Sequence, residues 1–179
     1  MNNSWVCIDS NAVTYLLEAM ATGKQPIDNL AAEKISLLRT YLYRDGTFCI
    51  SPTVRAEYSK IRDDVRRKYH TDLGDFLLDD TVKPDSRVLE IRTSELARFH
   101  RGRRKLNDCR IVAEAELGGC KCLLTFDESL LKNLKCHTRG INLSTPSAFW
   151  SSLKVPQGSS PVKCPRPTNP LSKESWWIW

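Results

Sequence analysis

The sequence predicts an α/β fold layered around a mostly parallel sheet, because short apolar runs alternate with stretches of helical character. Five runs have the length and the apolar content of buried strands: WVCI (5–8), TFCI (47–50), RVLEI (87–91), CLLT (122–125) and INL (141–143). When strands and helices alternate in this order, the strands pair in parallel and the helices cover the sheet.

The helices between these runs are indicated by their spacing and by their first residues. One helix is predicted from about Ala12 to Ala21, and another begins where Ser51 fits an N-cap and Pro52 fits the first helical position. Thr93 or Ser94 fits the cap of a short helix. The helix that begins at Ser51 is predicted over SPTVRAEYSKIRDDVRRKY (51–69), and two further stretches have helical character: LNDCRIVAEAEL (106–117) and TPSAFWSSL (145–153).

Composition limits the classes of protein that the chain can belong to. With 179 residues, of which 41% are hydrophobic, the chain is long enough for one domain with a real core and is too apolar for a disordered protein. Its 27 Lys and Arg residues against 21 Asp and Glu give a net charge of +6, which favours an anionic partner. The N-terminus, MNNSWVCIDSN, resembles neither a signal peptide nor a membrane span, so we expect no membrane association.

The seven cysteines indicate reduced thiols and a cytoplasmic location. Cys7 and Cys49 lie in predicted strands, where a thiol behaves as a small hydrophobe. A zinc site is the alternative use of cysteine here, with four candidate ligands: Cys120, Cys122, Cys136 and His137. The Cys-x-Cys pair lacks a second Cys-x-x-Cys to complete a tetrahedral set, so zinc is not favoured.

The chain divides by composition into two parts. Residues 1–153 carry the alternating pattern, whereas residues 154–179 hold five of the nine prolines and end in Trp176, Trp177 and Trp179. Proline at this density prevents a helix or a central strand. Two roles for this tail are open: an arm packed on its own domain, or an arm that binds a partner.

Acidic residues fall where the predicted topology brings separate segments to one edge of the sheet. Asp9 follows the first strand, and Asp127 lies two residues beyond CLLT. Glu57 lies in the second turn of the helix after TFCI, and Asp108 lies in the first turn of the helix that leads into CLLT. Because ligands of open α/β sheets bind beyond the carboxyl ends of the strands, these four acids are candidate site residues. Taken singly, each is also explained as a cap, a turn former or a solvated residue.

Clustered carboxylates predict a metal site. Like charges about 4 Å apart cost roughly 4 kcal/mol per pair at an effective dielectric of 20, and hard cations remove that cost. An all-oxygen donor set favours Mg²⁺ or Mn²⁺, and two such ions balance four carboxylates. The chemistry best served by this arrangement is phosphodiester hydrolysis. The three histidines, His70, His100 and His137, are scattered in sequence and predict no ligand set.

Polar and basic residues near these acids predict supporting roles. Three polar side chains are candidates for orienting the carboxylates, namely Ser10, Asn11 and Thr125. Four basic residues precede Asp108 and are candidates for RNA binding, namely Arg101, Arg103, Arg104 and Lys105. Further along the same helix, Glu114 and Glu116 are expected to face solvent or to pair with a basic neighbour.

The combined pattern resembles the PIN-domain family of metal-dependent nucleases over roughly residues 5 to 150. The resemblance rests on VCIDSNAVTYLL, CISPTVRAEY and LNDCRIVAEAELGGCKCLLTFDESLL, and on their order. It implies a three-layer α/β/α sandwich and Mg²⁺- or Mn²⁺-dependent cleavage of RNA. At matching motif positions, the acids of the family fall on Asp9, Glu57, Asp108 and Asp127, with Asn11 and Thr125 as polar helpers.

The chain is also similar to the toxins of VapBC-type toxin–antitoxin pairs, which dimerise and are blocked by a small antitoxin. This similarity implies a homodimer and an antitoxin partner. The chain is longer than those compact toxins, and its Pro- and Trp-bearing tail has no counterpart in them.

Two other functions fit parts of the pattern. One is a nuclease-fold module that binds RNA or acts as a scaffold without turnover, although all four acids are present. The other is a phosphatase of the haloacid-dehalogenase type with Asp9 as nucleophile. Its D-x-D-x-T motif is not met, because Asn11 occupies the place of the second acid.

Overall fold

The computed structural model describes residues 5–78, 84–102 and 105–179, which form four strands, eight α-helices and a 3₁₀ helix. The strands are β1 (Val6–Ile8), β2 (Phe48–Cys49), β3 (Cys122–Leu124) and β4 (Asn142–Ser144). The helices are α1 (Ser10–Thr22), α2 (Ala31–Tyr43), α3 (Pro52–Tyr58), α4 (Asp64–Leu78), α5 (Ser86–Ala97), α6 (Leu106–Leu117), α7 (Glu128–Leu134) and α8 (Pro146–Ser152). The 3₁₀ helix is Pro170–Lys173.

The four strands form one parallel sheet in the order β2-β1-β3-β4. In the register, Cys7 lies opposite Cys49 on one side and opposite Leu123 on the other. All residues of β1 and β3 are buried, as expected for central strands covered on both faces. The order β2-β1-β3 brings the ends of three strands together, and these ends precede Asp9, α3 and Asp127.

The helices pack in two groups. The first consists of α3, α5 and α6, the second of α1, α2 and α8, and α4 contacts both α3 and α1. Each of the four helices that follow a strand begins at a side chain that accepts a backbone N–H, which fixes the helix start just after that strand. These N-caps are Asp9, Ser51, Asp127 and Thr145. The predicted α/β sandwich with a parallel sheet is confirmed.

The prediction of a strand at 87–91 is wrong, because this run forms the first half of α5. Asp85 caps that helix by accepting the backbone N–H groups of Arg87 and Val88. Leu89, Thr93 and Leu96 are buried and recur at the helical spacing of i, i+4 and i+7. The burial of one face of the helix therefore outweighs the strand propensity of the run.

Two other helices differ from prediction. The helix expected over 51–69 is divided into α3 and α4 by a turn, and α2 was not predicted at all. The mixed composition of α2, AAEKISLLRTYLY, hides an apolar face that includes the buried Leu37, Leu38 and Leu42.

The tail packs on the rest of the chain, which is the first of the two roles considered for it. The indole N–H of Trp176 donates to the carbonyl of Gly23 at 2.8 Å, and the Trp177 side chain is buried. Trp179 packs edge-to-face on Trp150 with ring centroids 5.5 Å apart. Gly23 ends α1 with a φ of +66°, and a Cβ there would lie 3.0 Å from the backbone of Pro170. The tail therefore seals the C-terminal end of α1.

Within the described ranges, we find no helix whose length and apolar character suit a membrane crossing.

Candidate metal centre at the carboxyl edge of the sheet

Asp9 is the most buried of the candidate acids. It follows β1, and its backbone N–H donates to Leu124 of β3, which ties the two central strands together at this edge. Its carboxylate accepts the backbone N–H of Ala12 at 2.7 Å and that of Phe126 at 3.3 Å. Burial raises the pKa of Asp9, the charge of Asp108 raises it further, and hydrogen bonds from Thr125 and these two N–H groups oppose the shift. Asp9 thus shares an electrostatic environment with Asp108.

Asp127 is held by hydrogen bonds on both carboxylate oxygens. Oδ1 accepts the backbone N–H groups of Ser129 and Leu130 and the hydroxyl of Ser129, while Oδ2 accepts Lys105 Nζ at 2.7 Å. Burial alone would raise the pKa of Asp127, but the hydrogen bonds from Lys105 and Ser129 outweigh it and hold the pKa well below its usual range. Asp127 is therefore a carboxylate at neutral pH.

Asp108 lies in the first turn of α6 between two basic side chains. Its Oδ2 atom is 3.3 Å from Nε2 of His100 and 3.4 Å from Nζ of Lys105. One ligand atom each from His100, Asp108 and Asp127 lies within 4.8 Å of the others, so the three side chains can reach a common cation. The head of α6 and the end of β3 thus meet at one point.

Glu57 reaches the same edge from α3. Its Oε1 atom accepts the amide N–H of Asn107, the residue before Asp108, at 3.3 Å. Burial raises the pKa of Tyr58, and the charges of Asp9 and Glu57 raise it further. Glu57 thus contacts the head of α6 through Asn107, whereas Glu57 and Asp9 are both outside the close group of His100, Asp108 and Asp127.

The position of α3 depends on Glu114, which the sequence analysis expected to face solvent or to pair with a basic residue. The Glu114 side chain is buried and accepts the backbone N–H of Thr53 at 2.9 Å and its hydroxyl at 2.8 Å. Arg110 Nε lies 3.5 Å away, so the basic neighbour is only part of its environment. Glu116 forms the expected basic pair with Arg92.

The predicted supporting residues have different surroundings. Thr125 is fully buried, and its hydroxyl accepts the backbone N–H of Asp127 at 3.0 Å, while Ser10 is half-buried and Asn11 exposed in the first turn of α1. Arg101 is exposed, whereas Lys105 directs its ammonium group into the acids. The predicted RNA-binding residues Arg103 and Arg104 lie outside the described residues.

Two contacts at this edge were missed by sequence reasoning. His100 was treated as a scattered histidine, yet its buried ring touches Asp108. Lys105 was expected to face a polyanion, and it instead bridges Asp108 and Asp127. The position of Lys105 three residues before Asp108 was the one available signal, because residues so spaced share a helix face.

The sheet order, the helical layers and the acidic edge together define a PIN-like α/β fold. Among solved structures, the chain is similar to VapBC-1 from nontypeable Haemophilus influenzae, with a TM-score of 0.53 and 15% identity over 80% of this chain and 98% of that one. It is also similar to VapBC2 from Rickettsia felis bound to a DNA fragment from their promoter, with a TM-score of 0.46 and 17% identity over 78% and 97% of the two chains. No protein-family profile matches the chain. No curated protein matches it significantly in sequence.

Proposed function

We propose that this chain is a divalent-metal-dependent endoribonuclease that hydrolyses RNA phosphodiester bonds at the carboxyl edge of the sheet, with Asp9, Glu57, Asp108 and Asp127 as its acidic residues. The observation that carries the proposal is the meeting of β-strand ends and the head of α6, with Asp108 and Asp127 sharing Lys105. The influence of Asp108 on the pKa of Asp9 supports the same arrangement.

The residues at this edge fit a hard divalent cation. Their donors are carboxylate oxygens, which suit Mg²⁺ or Mn²⁺, and Lys105 shows that the site already favours positive charge. The buried Tyr58 hydroxyl, whose pKa is raised further by the charges of Asp9 and Glu57, has no hydrogen-bond partner among the described residues, as expected beside a site that holds hydrated ions.

Each group in this proposal has a defined task. The four carboxylates would hold two divalent ions. When bound, these ions would activate a water molecule and stabilise the leaving oxygen. Ser10, Asn11 and Thr125 orient these carboxylates. Arg101 attracts the phosphates of the substrate, and we assign the same task to Arg103 and Arg104 from sequence alone, whereas Lys105 pairs with Asp108 and Asp127.

The structural neighbours support a proposed biological context. Both solved structures are VapBC assemblies, so we propose that the chain is a toxin with a small antitoxin as its partner. From the sequence pattern we further propose a homodimer in the cytoplasm, with residues 1–153 as the nuclease domain and 154–179 as its tail.

The test is a cleavage assay on purified protein with a structured RNA and a DNA of the same sequence, in Mg²⁺ or Mn²⁺. Asp9→Asn and Asp108→Asn should each lower the cleavage rate by at least about 100-fold, because electrostatic groups at a reaction centre contribute that much. Asp72→Asn is the matched control, since Asp72 is an exposed acid on α4 paired with Lys68. It should cut at the wild-type rate.

A folded Asp9→Asn or Asp108→Asn variant that cuts RNA as fast as the wild type would exclude this site. If the wild type binds RNA but neither binds Mn²⁺ nor cuts any RNA, the chain is an RNA-binding module instead. Growth arrest on expression, relieved by Asp108→Asn, separately tests the toxin role.

A further inference from the structure

Three buried cysteine thiols from separate segments meet at the sheet. Cys7 lies in β1, Cys49 in β2 and Cys120 directly before β3, and we call them the thiol triad. One Sγ atom from each lies within 4.8 Å of the others, and the Sγ atoms of Cys49 and Cys120 are 3.5 Å apart. All three side chains are buried, so the thiols face one another inside the protein and not the solvent.

The triad is a set of polarised thiols in apolar surroundings. Cys7 and Cys49 lie opposite each other in the register of β1 and β2, which directs both thiols to one face of the sheet. Hydrogen bonds from Cys49 and then from Cys7 lower the pKa of Cys120, although its burial opposes the shift. Cys120 is therefore the thiol that ionises first and would act as the first nucleophile toward a thiophilic ion.

We propose that Cys7, Cys49 and Cys120 form a binding site for a trivalent thiophilic ion, for which arsenite is the probe. In the reaction, one As(OH)₃ and three thiols give one As(S–Cys)₃ and three waters, so no oxidant or reductant is needed. Each thiol loses its proton to a departing hydroxide, and three As–S bonds replace three As–O bonds. This site is independent of the proposed nuclease function.

Charge selects a trivalent ion over other soft cations. Three thiolates neutralise As(III), whereas they leave a net charge of −1 on Zn²⁺ and of −2 on Cu⁺. An uncompensated charge in an apolar core carries a large desolvation cost. Zn²⁺ also requires a fourth ligand, and the described His, Cys, Asp and Glu side chains add none to this group.

The loop before β3 provides the route of entry. Cys120 follows a turn in which Gly119 has a φ of +76° and open space beside it, and both Gly119 and Lys121 are exposed. Local opening of such a loop needs less free energy than global unfolding. An ion bound to the triad would then link β1, β2 and this loop, and it would stabilise the folded state by mass action.

The experiment uses full-length protein in which the exposed thiols are removed by Cys136→Ser and Cys164→Ser. With stoichiometric arsenite, native mass spectrometry should show a gain of one arsenic less three hydrogens. X-ray absorption should show three sulfur neighbours, and the melting temperature should rise. Cys120→Ala and Cys49→Ala should each abolish all three signals.

The matched control is Cys122→Ala, because Cys122 is a buried thiol two residues from Cys120 that is outside the triad. This variant should bind arsenic as tightly as the parent protein, which carries only Cys136→Ser and Cys164→Ser. Circular dichroism identifies which variants are folded, and only folded variants are compared. If the parent protein itself takes up arsenic only when unfolded, the proposal is wrong.

Three further results would overturn the site. The first is arsenic uptake that persists in folded Cys120→Ala, and the second is binding of Zn²⁺ in preference to As(III). The third is a Cys49–Cys120 disulfide in the protein purified under reducing conditions, detected by a mass loss of two hydrogens. The cleavage assay stays a separate readout, so failure here leaves the nuclease proposal unaffected.

Discussion

Nε2 of His100 lies 3.3 Å from Oδ2 of Asp108, and the imidazole is almost fully buried while the carboxylate is partly exposed. The other ring nitrogen, Nδ1, is 3.0 Å from Nδ2 of Asn133, which can only donate. Nδ1 therefore accepts, and the proton resides on Nε2, directed at Asp108. A buried ring thus orients the carboxylate at the head of α6.

Replacing His100 tests this positioning role. We expect His100→Leu to weaken Mn²⁺ binding and to lower the cleavage rate by about 10- to 100-fold, the range found when an orienting partner of a metal ligand is removed. His100→Gln keeps an N–H donor and should recover much of the loss. Mn²⁺ titration by isothermal calorimetry and a metal-concentration series in the cleavage assay measure the two effects.

His70 provides the matched control for His100. It is also buried, and its ring contacts Thr14, the backbone of Arg66 and the ring of Tyr58, but no candidate acid. His70→Leu should therefore affect stability without changing the dependence of cleavage on Mn²⁺. Equal metal dependence in His100→Leu and wild type would show that the imidazole does not position Asp108.

Lys105 is expected to compete with metal for the oxygens of Asp127 and Asp108. Lys105→Met should increase Mn²⁺ affinity several-fold and reduce stability by less than about 1 kcal/mol, since a partly exposed ion pair contributes little. Lys132→Met, which alters an exposed lysine on α7, is the control and should change neither quantity. Calorimetry with Mn²⁺ and urea denaturation provide the measurements. Weaker metal binding in Lys105→Met would contradict the competition.

The raised pKa of Asp9 predicts that the free energy of unfolding of the protein depends on pH when a chelator keeps it free of metal. Burial raises this pKa above the unfolded value of about 3.9, so the folded state binds the proton more tightly. The corresponding stabilisation is complete below about pH 3.9 and is lost as pH rises through the folded pKa. Asn does not titrate, so Asp9→Asn should gain stability relative to wild type over that window. Urea denaturation at a series of pH values measures it, and parallel profiles would contradict the prediction.

The sheet could be predicted from the sequence because strand ends carry strong local signals. An apolar run followed by Asp9, Ser51 or Thr145 combines a buried strand with a helix N-cap, and both depend on neighbouring residues only. The strand prediction for 87–91 was wrong because its residues suit either structure, and tertiary packing favours the helix.

The acids were accessible for the same reason, whereas their partners were not. Asp9 and Asp127 follow strands directly, so topology alone brings them to one edge. His100 precedes Asp108 by eight residues, and its contact depends on how the chain between α5 and α6 folds. Glu114 is buried because α3 packs on α6, a long-range contact that no local pattern encodes.

Glu114 is expected to determine where α3 begins. Glu114→Ala removes a buried carboxylate that accepts two hydrogen bonds from Thr53, and such charge-assisted bonds contribute about 1.5–3 kcal/mol each, so we expect a loss of at least about 2 kcal/mol. Cleavage should also fall, since α3 carries Glu57. Glu90→Ala is the control, because Glu90 forms an exposed pair with Arg110. Thermal denaturation and the cleavage assay together test this, and equal stability of both variants would refute it.

The side chain of Arg39 binds the backbone of the tail. Its guanidinium donates to the carbonyls of Trp176, Trp177 and Ile178 at 3.3, 3.1 and 2.9 Å, and it also lies 4.8 Å from the ring centroid of Trp179. Because a methionine at this position fills similar volume without donating, Arg39→Met isolates the hydrogen bonds and the charge.

We expect Arg39→Met to release the end of the tail from α2 and to reduce stability by roughly 1–3 kcal/mol, since it removes three hydrogen bonds and a cation–π contact. Tryptophan emission should shift to longer wavelength, and protease cleavage within 154–179 should accelerate. Arg139→Met is the control, because Arg139 is an exposed cation paired with Glu95 away from the tail. Unchanged proteolysis of Arg39→Met would mean that the tryptophan side chains alone anchor the tail.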